Sequence, residues 1–225
     1  MKELEKQEIF EIEILEWLKN KRFLNKLIFG GGTMLKLCYG LPRYSVDLDF
    51  WLYRVGNIEV FFNELKNKLS NDYEITDSFN KFYTLLFELK DARFPRKLKV
   101  EIRKTSEKFN FQNTIAFSKY SNKQVLVRAL TLEQAMQNKI KSFLDRKEIR
   151  DLFDVEFLLK KGINLNASKE QLEKIKKLIN SFKKQDYAVT LGSFLESDIR
   201  KYYKDNNFIF LVGKIVELMA TFKDA

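Results

Sequence analysis

The chain is expected to adopt an α+β fold, an α/β lobe over residues 1–128 followed by a helical lobe over residues 129–225. Three observations predict this. Short apolar runs with strand character recur between residues 26 and 127, interrupted by helical segments. From Thr131 onward apolar residues recur at helical spacing to the end of the chain. The composition shifts near residues 125–130, with no internal repeat and no low-complexity linker on either side.

The elements follow in order. Residues 7–20 alternate apolar and charged at first, but Ile9, Ile12, Trp17 and Leu18 fit one helix face, and the Glu-rich start suits a helix N-terminus. Residues 26–29 form a short apolar strand leading into Gly30, residues 33–39 a helix, and Gly40-Leu41-Pro42 stops it. A strand is predicted over 46–53 and a helix over 57–69, with Val60, Phe61, Leu65 and Leu69 at helical spacing. The period then changes, and strands are predicted over 73–76, 82–89, 98–103, 112–117 and 124–127, the last few in a meander. Thr131 and Gln134 resemble a capping box ahead of Met136, Ile140, Phe143 and Leu144. Further helices are expected over 148–161, 168–183, 187–201 and 206–222.

Composition removes whole classes of chemistry. The 225 residues contain no histidine, which excludes histidine bases, Ser-His-Asp and Cys-His nucleophiles and histidine metal ligands. One cysteine and no histidine cannot build an ordinary zinc site. Cys38 permits no intramolecular disulfide, and among Leu35, Leu37 and Tyr39 it reads as a core residue. The charged N-terminus has no apolar signal-peptide core, and no stretch approaches a membrane span, so a soluble cytoplasmic protein without membrane contact is expected. The net charge of +10 is uneven: residues 90–128 hold 11 Lys and Arg against 3 Asp and Glu. Such a stretch attracts polyanions, although a solvated lysine-rich surface has the same composition.

The chemistry concentrates in residues 30–50. Asp47 and Asp49 are two apart in a strand, so both carboxylates leave the same face while Val46, Leu48 and Phe50 enter the core. Like charges held side by side point to hard divalent cations. The glycines before the helix present bare N–H groups to an anion such as phosphate. Together these are the components that nucleotidyl transfer requires. Glu101, between Val100 and Ile102, supplies a third carboxylate on the polar face of a neighbouring strand, or a cross-strand partner for one of the nearby lysines. Arg43 and Ser45 stand where they can hold triphosphate oxygens, Arg43 being otherwise a surface cation. Among the later helices, Lys139 borders an apolar face, with Arg146 two turns on and Asp151 opening the next helix. Lys139 suits neutralisation of a transferring phosphate, whereas Asp151 suits either the site or a cap or ion pair to Lys139 or Arg146.

The run Gly31-Gly32-Thr33-Met34-Leu35, then Tyr39-Gly40-Leu41-Pro42-Arg43-Tyr44-Ser45-Val46-Asp47-Leu48-Asp49-Phe50, resembles the first motif of the AbiEii-like nucleotidyltransferases. This group of the polymerase-beta superfamily includes type IV toxin–antitoxin and abortive-infection toxins and the MenT toxins. Ala135-Met136-Gln137-Asn138-Lys139-Ile140, Arg146 and Arg150-Asp151-Leu152-Phe153-Asp154 resemble its helical motif. The resemblance covers residues 25–160 and implies a polymerase-beta-like nucleotidyltransferase lobe with a mixed sheet plus a C-terminal helical lobe. It implies transfer of a nucleotide from an NTP to an RNA acceptor, the tRNA 3′ end in related toxins, and a cognate antitoxin protein. Asp47, Asp49 and Glu101 would be metal ligands for two Mg²⁺ ions and, with Lys139 and Asp151, catalytic. Gly31, Gly32, Thr33, Arg43, Ser45 and Arg146 would bind substrate. Two other readings stand beside it: modification of a protein or small molecule, and a non-catalytic relic that binds RNA or a partner.

Overall fold

Helix α1 (Glu3–Asn20) carries more than the single apolar face its spacing predicts: no residue from Gln7 to Leu18 is exposed. Phe10, Ile12, Ile14, Leu15 and Leu18 are buried, and so are Gln7, Glu8 and Glu11. In the computed structural model, residues 2–105 and 107–222 are described. They belong to two compact units, Met1–Thr131 and Leu132–Ala225.

The first unit is built on one seven-stranded sheet. Its strands are β1 (Leu27–Gly30), β2 (Asp47–Leu52), β3 (Glu74–Asn80), β4 (Thr84–Lys90), β5 (Leu98–Arg103), β6 (Phe111–Phe117) and β7 (Gln124–Leu130). The order is β3-β4-β5-β2-β1-β7-β6. β1 and β2 are antiparallel at the centre, β5 runs parallel to β2, and β7 runs parallel to β1. The sheet is therefore mixed. β3, β4 and β5 form an antiparallel meander, but β6 and β7 pair at the opposite end instead of continuing it. Apolar runs reveal where strands lie; which strand neighbours which depends on crossovers that leave no local pattern.

Helices α2 (Gly31–Tyr39) and α3 (Ile58–Asp72) complete this unit with α1. Asn57 caps α3, its side chain accepting from Val60 N at 3.0 Å. Gly40, at φ +78°, closes α2, and Leu41 N reaches back to Leu35 O at 3.0 Å. Leu48 and Phe50 are fully buried, with Phe50 stacked on Phe29 at 5.1 Å, alongside Val100 and Ile102. Each such side chain stabilises the fold by about 2–3 kcal/mol. A one-residue slip of β2 would exchange them for Asp47 and Asp49, so burial of the apolar pair fixes where the acids point.

The second unit holds α4 (Leu132–Arg146), α5 (Ile149–Lys160), α6 (Lys169–Ser181), α7 (Ser197–Asn206) and α8 (Ile209–Thr221). Leu152, Phe153, Leu172, Leu191, Phe208 and Leu211 lie in its core. The continuous helix expected over 187–201 is replaced by a wide turn at Asp186–Leu191 and a tight one at Gly192–Phe194. Tyr187 is buried against Phe182 and Phe208, and a Cβ on Gly192 would lie 3.1 Å from Tyr187 O. Close approach at Gly192 and the demand to bury Tyr187 outweigh local helix periodicity. Glu156 is fully buried, accepting from Tyr203 Oη at 2.7 Å, Lys160 Nζ at 2.6 Å and Leu211 N at 3.1 Å. It thereby caps the first turn of α8, where the helix dipole favours a negative charge. Among the described residues no helix is long and apolar enough to cross a membrane.

Candidate active site

Register builds the site. Asp49 of β2 faces Glu101 of β5, and Asp47 faces Lys99. Opposed residues of paired strands share a face, so Asp47, Asp49, Glu101 and Lys99 rise from one side of the sheet. The same row continues across β1, where Gly30 faces Asp49. The chain then turns into α2 at Gly31, which has φ +73°. A Cβ at Gly31 would overlap the Asp49 carboxylate, so bare backbone and acid are in direct contact. Thr33, in the first turn of α2, donates its hydroxyl to Asp47 O at 2.5 Å and ties the helix to the acidic strand.

Gly32 is enclosed in the same way by the other residues of the motif. A Cβ there would lie 2.6 Å from Arg43 Nη2 and 2.8 Å from Ser45 Oγ. Arg43 is buried, with Nη1 donating to Tyr44 O at 2.9 Å. Sequence allowed Arg43 to be a surface cation; it is instead a buried guanidinium at a helix N-terminus. A helix N-terminus without a side-chain cap, beside a buried guanidinium, is a setting that favours an anion.

Lys99 shows the field around the acids. Its ammonium pairs with Glu101, and that hydrogen bond raises Lys99 above the ordinary lysine range, Asp47 and Asp49 adding to the effect and partial burial opposing it. The donors available to a cation are oxygen atoms only, the set that suits Mg²⁺. Among the described residues no three acids converge into a closed ligand cluster. Mg²⁺ does not need one, because it binds through one or two carboxylates, substrate phosphates and water. The residues present fit such an ion, which Asp47 and Asp49 would hold.

Behind this face lies a polar network that sequence reasoning did not single out. Gln7 Nε2 donates to Val46 O at 3.2 Å and Lys97 O at 3.4 Å, holding the residues that enter β2 and β5. Glu8 accepts from Ser118 Oγ at 2.7 Å and stands 3.8 Å from Lys36 Nζ. Burial pushes Glu11 well above the usual carboxylate range; Glu8 and Asp47 raise it further and Lys36 opposes them. Glu11 Oε1 has no hydrogen-bond partner among the described residues. Cys38 is partly buried, and burial pushes its thiol up to about 12, an inert thiol as its apolar setting predicts.

In the second unit, Lys139 Nζ lies 3.0 Å from Asp151 Oδ1 and 2.7 Å from Asp154 Oδ2. Arg146 Nη2 holds Asp151 Oδ2 at 2.7 Å. Both acids are buried. Of the roles open to Asp151, ion pairing is the one its contacts display. Asp154, the other acid of the motif, is the more deeply buried partner of Lys139.

The description "Nucleotidyl transferase AbiEii toxin, Type IV TA system" matches residues 13–207. That span takes in both units and nearly the whole chain. The chain belongs to the AbiEii family. A comparison with curated proteins gives no match. Among solved structures, JHP933 from Helicobacter pylori is similar at 19% identity, with 96% of each chain covered and a TM-score of 0.54. A Helicobacter pylori protein assigned provisionally as a nucleotidyltransferase is 20% identical, over 93% of this chain and 96% of its own, with a TM-score of 0.54. An antigenic nucleotidyltransferase-like protein from Paracoccidioides brasiliensis is 14% identical, over 86% and 95%, with a TM-score of 0.50. At such identities the likeness is one of fold: this AbiEii chain has a nucleotidyltransferase fold.

The basic stretch of this AbiEii chain is more neutral than its composition predicts. Arg93 pairs with Asp91 at 2.6 Å and Glu13 at 3.1 Å, Arg96 with Glu3 at 3.6 Å, and Lys97 with Glu88 at 2.6 Å. Glu3 and Glu13 come from α1, distant in sequence, so a count over residues 90–128 misses them.

Proposed function

We propose that this AbiEii-family chain is a toxin that transfers a nucleotide from an NTP to the 3′ hydroxyl of an RNA, tRNA being the preferred acceptor. The register of Asp49 against Glu101, with Gly31 touching Asp49, is the observation that carries this reading. It sets paired acids beside a helix N-terminus, so the α-phosphate of a triphosphate seated on Gly31, Gly32, Thr33, Ser45 and Arg43 meets the carboxylate face. Asp47 and Asp49 are the ligands for Mg²⁺, which when bound neutralises phosphate charge and polarises the reacting phosphorus.

The acceptor hydroxyl oxygen attacks the α-phosphorus. A new O–P bond forms, the bond to the β-phosphate bridge breaks, and pyrophosphate leaves. In this reading the hydroxyl proton passes to a carboxylate of this face, Glu101, which is paired with Lys99. A cognate antitoxin and a cytoplasmic setting follow from the family.

Incubation of the protein with each labelled NTP, total tRNA and Mg²⁺ tests the reading. Label is expected in tRNA, abolished by EDTA and by Asp49→Ala. Label in lysate protein alone would replace the acceptor. Equal growth of bacteria expressing wild-type and Asp49→Ala protein would remove the toxin claim.

A further inference from the structure

We infer that the tip of the β3–β4 hairpin is a stacking platform for unpaired bases of the RNA acceptor, upstream of the hydroxyl that reacts. The inference rests on the RNA-acceptor reading above and adds where the strand lies. One row of opposed residues crosses four strands: Phe79 faces Leu86, Leu86 faces Glu101, and Glu101 faces Asp49. All four share the face that bears the acids. At about 4.8 Å per strand, Phe79 stands about 10 Å from Glu101, roughly three stacked bases.

Phe79 continues into a turn whose residues are unusual for a turn. Phe82 is 83% exposed, Tyr83 73% and Phe79 48%. Phe82 and Tyr83 touch edge to face at 4.5 Å, and Lys81 lies over Phe79 at 5.4 Å. Turns ordinarily carry Gly, Asn, Asp, Pro or Ser. Rings with this much exposed face add little to the core, so the fold gives no reason for them.

The tip is nonetheless built rigidly. Lys104 N donates to Tyr83 O at 2.8 Å and Lys81 N to Thr84 O at 2.9 Å. Lys104 Nζ also donates to Asn80 Oδ1 and Lys81 O, and Asn80 Nδ2 to Glu59 Oε2 at 2.5 Å. Arg103, on the same face, lies over Trp51 at 5.5 Å. Exposed aromatic faces interleaved with Lys81, Arg103 and Lys104 are the combination that binds single-stranded nucleic acid, bases on rings and phosphates on cations. The charge complements a polyanion, and the row leads from the rings to the acids.

The test uses the full chain and a 5′-fluorescein-labelled single-stranded oligouridylate, with an RNA duplex as control. Binding is read by anisotropy and nucleotide addition by labelled NTP. Replacement of Phe79, Phe82 and Tyr83 by Ala should weaken single-strand binding by about tenfold or more per base that loses its stack. NTP binding and the salt slope should be unchanged, since no phosphate contact is removed. Phe82→Tyr and Tyr83→Phe should retain binding. If the triple variant melts early, Phe82→Ala and Tyr83→Ala, at the most exposed positions, carry the test alone. Unchanged single-strand affinity in an enzyme that still labels RNA overturns the platform and leaves the RNA reading standing. A wild type that neither binds nor labels RNA overturns both. Loss of partner-protein binding with RNA affinity intact makes the tip a protein contact and overturns the inference.

Discussion

Gly31 and Asp49 are packed so that the carboxylate of one occupies the place a side chain would take on the other. This contact joins the turn that would seat a phosphate to the acid that would hold its metal. Gly31→Ala should therefore act twice. At φ +73° an alanine costs about 1–2 kcal/mol, and its methyl displaces the Asp49 carboxylate. A displacement of an ångström reduces turnover by about 100-fold. A lower melting temperature with a larger loss in nucleotide transfer is the expected pair of results. Full activity in Gly31→Ala would show that the Asp49 position is not critical.

Glu11 gives the pH dependence. Its carboxyl is raised well above 4.5, so between the unfolded value and the folded one the native state binds a proton that the unfolded state has released. Stability contributed by this group then falls as pH rises, by at most about 1.4 kcal/mol per pH unit, until the folded value is passed. Glu11→Gln removes the titration. In EDTA the variant should gain melting temperature relative to wild type at pH 8 and gain less at pH 5. A gain of equal size at both pH values would mean that Glu11 does not titrate in this window. The groups that set its behaviour are Glu8 on α1, Asp47 on β2 and Lys36 on α2.

What the sequence makes legible follows from the range of the interactions. Asp47 and Asp49 declare a shared face because a strand repeats every two residues and their neighbours are apolar. Gly31 and Gly32 are legible for the same local reason. Glu8 and Glu11 are not, because their burial is decided by Lys36 on another helix and by Ser118, 110 residues from Glu8. In isolation they resemble the solvated acids of a helix N-terminus. The strand order is likewise invisible, since each strand has its own local signal and its neighbour has none. Near residue 190 the helical pattern was real, but burial of Tyr187 and close approach at Gly192 overrode it.

Lys139 carries a structural burden separate from any role with substrate. Its ammonium lies between two buried carboxylates. Lys139→Met leaves Asp154 without this cation, while Asp151 keeps Arg146. Breaking a buried pair from one side costs about 3–5 kcal/mol. Urea denaturation should show a loss of that order, and Lys139→Met/Asp154→Asn should recover part of it. A single variant within about 1 kcal/mol of wild type would show that the triad is weakly coupled. Activity lost by the double variant at a temperature where it remains folded is what reports on a role with substrate.

The final prediction concerns which cations meet RNA. Arg93, Arg96 and Lys97 are three of the eleven cations of the basic stretch, and each already has a carboxylate partner on or beside α1 and β4. These pairs are largely solvent-exposed, and such pairs are worth little to stability, about 0–1 kcal/mol each. Their local field on a polyanion is nevertheless small, because positive and negative charge lie within a few ångströms and are screened together. Replacing all three with Ala should lower the log–log salt slope of RNA binding by less than one unit in total. Lys81→Ala, over the exposed Phe79 ring, and Arg103→Ala, over Trp51 on the acid face, should each lower it by about 0.7, the value for one phosphate of a single strand. NTP affinity should not change in either set, since Gly31, Gly32 and Arg43 are untouched. A drop of two units or more in the first set, with none in the second, would move the RNA path onto residues 93–97 and away from the hairpin.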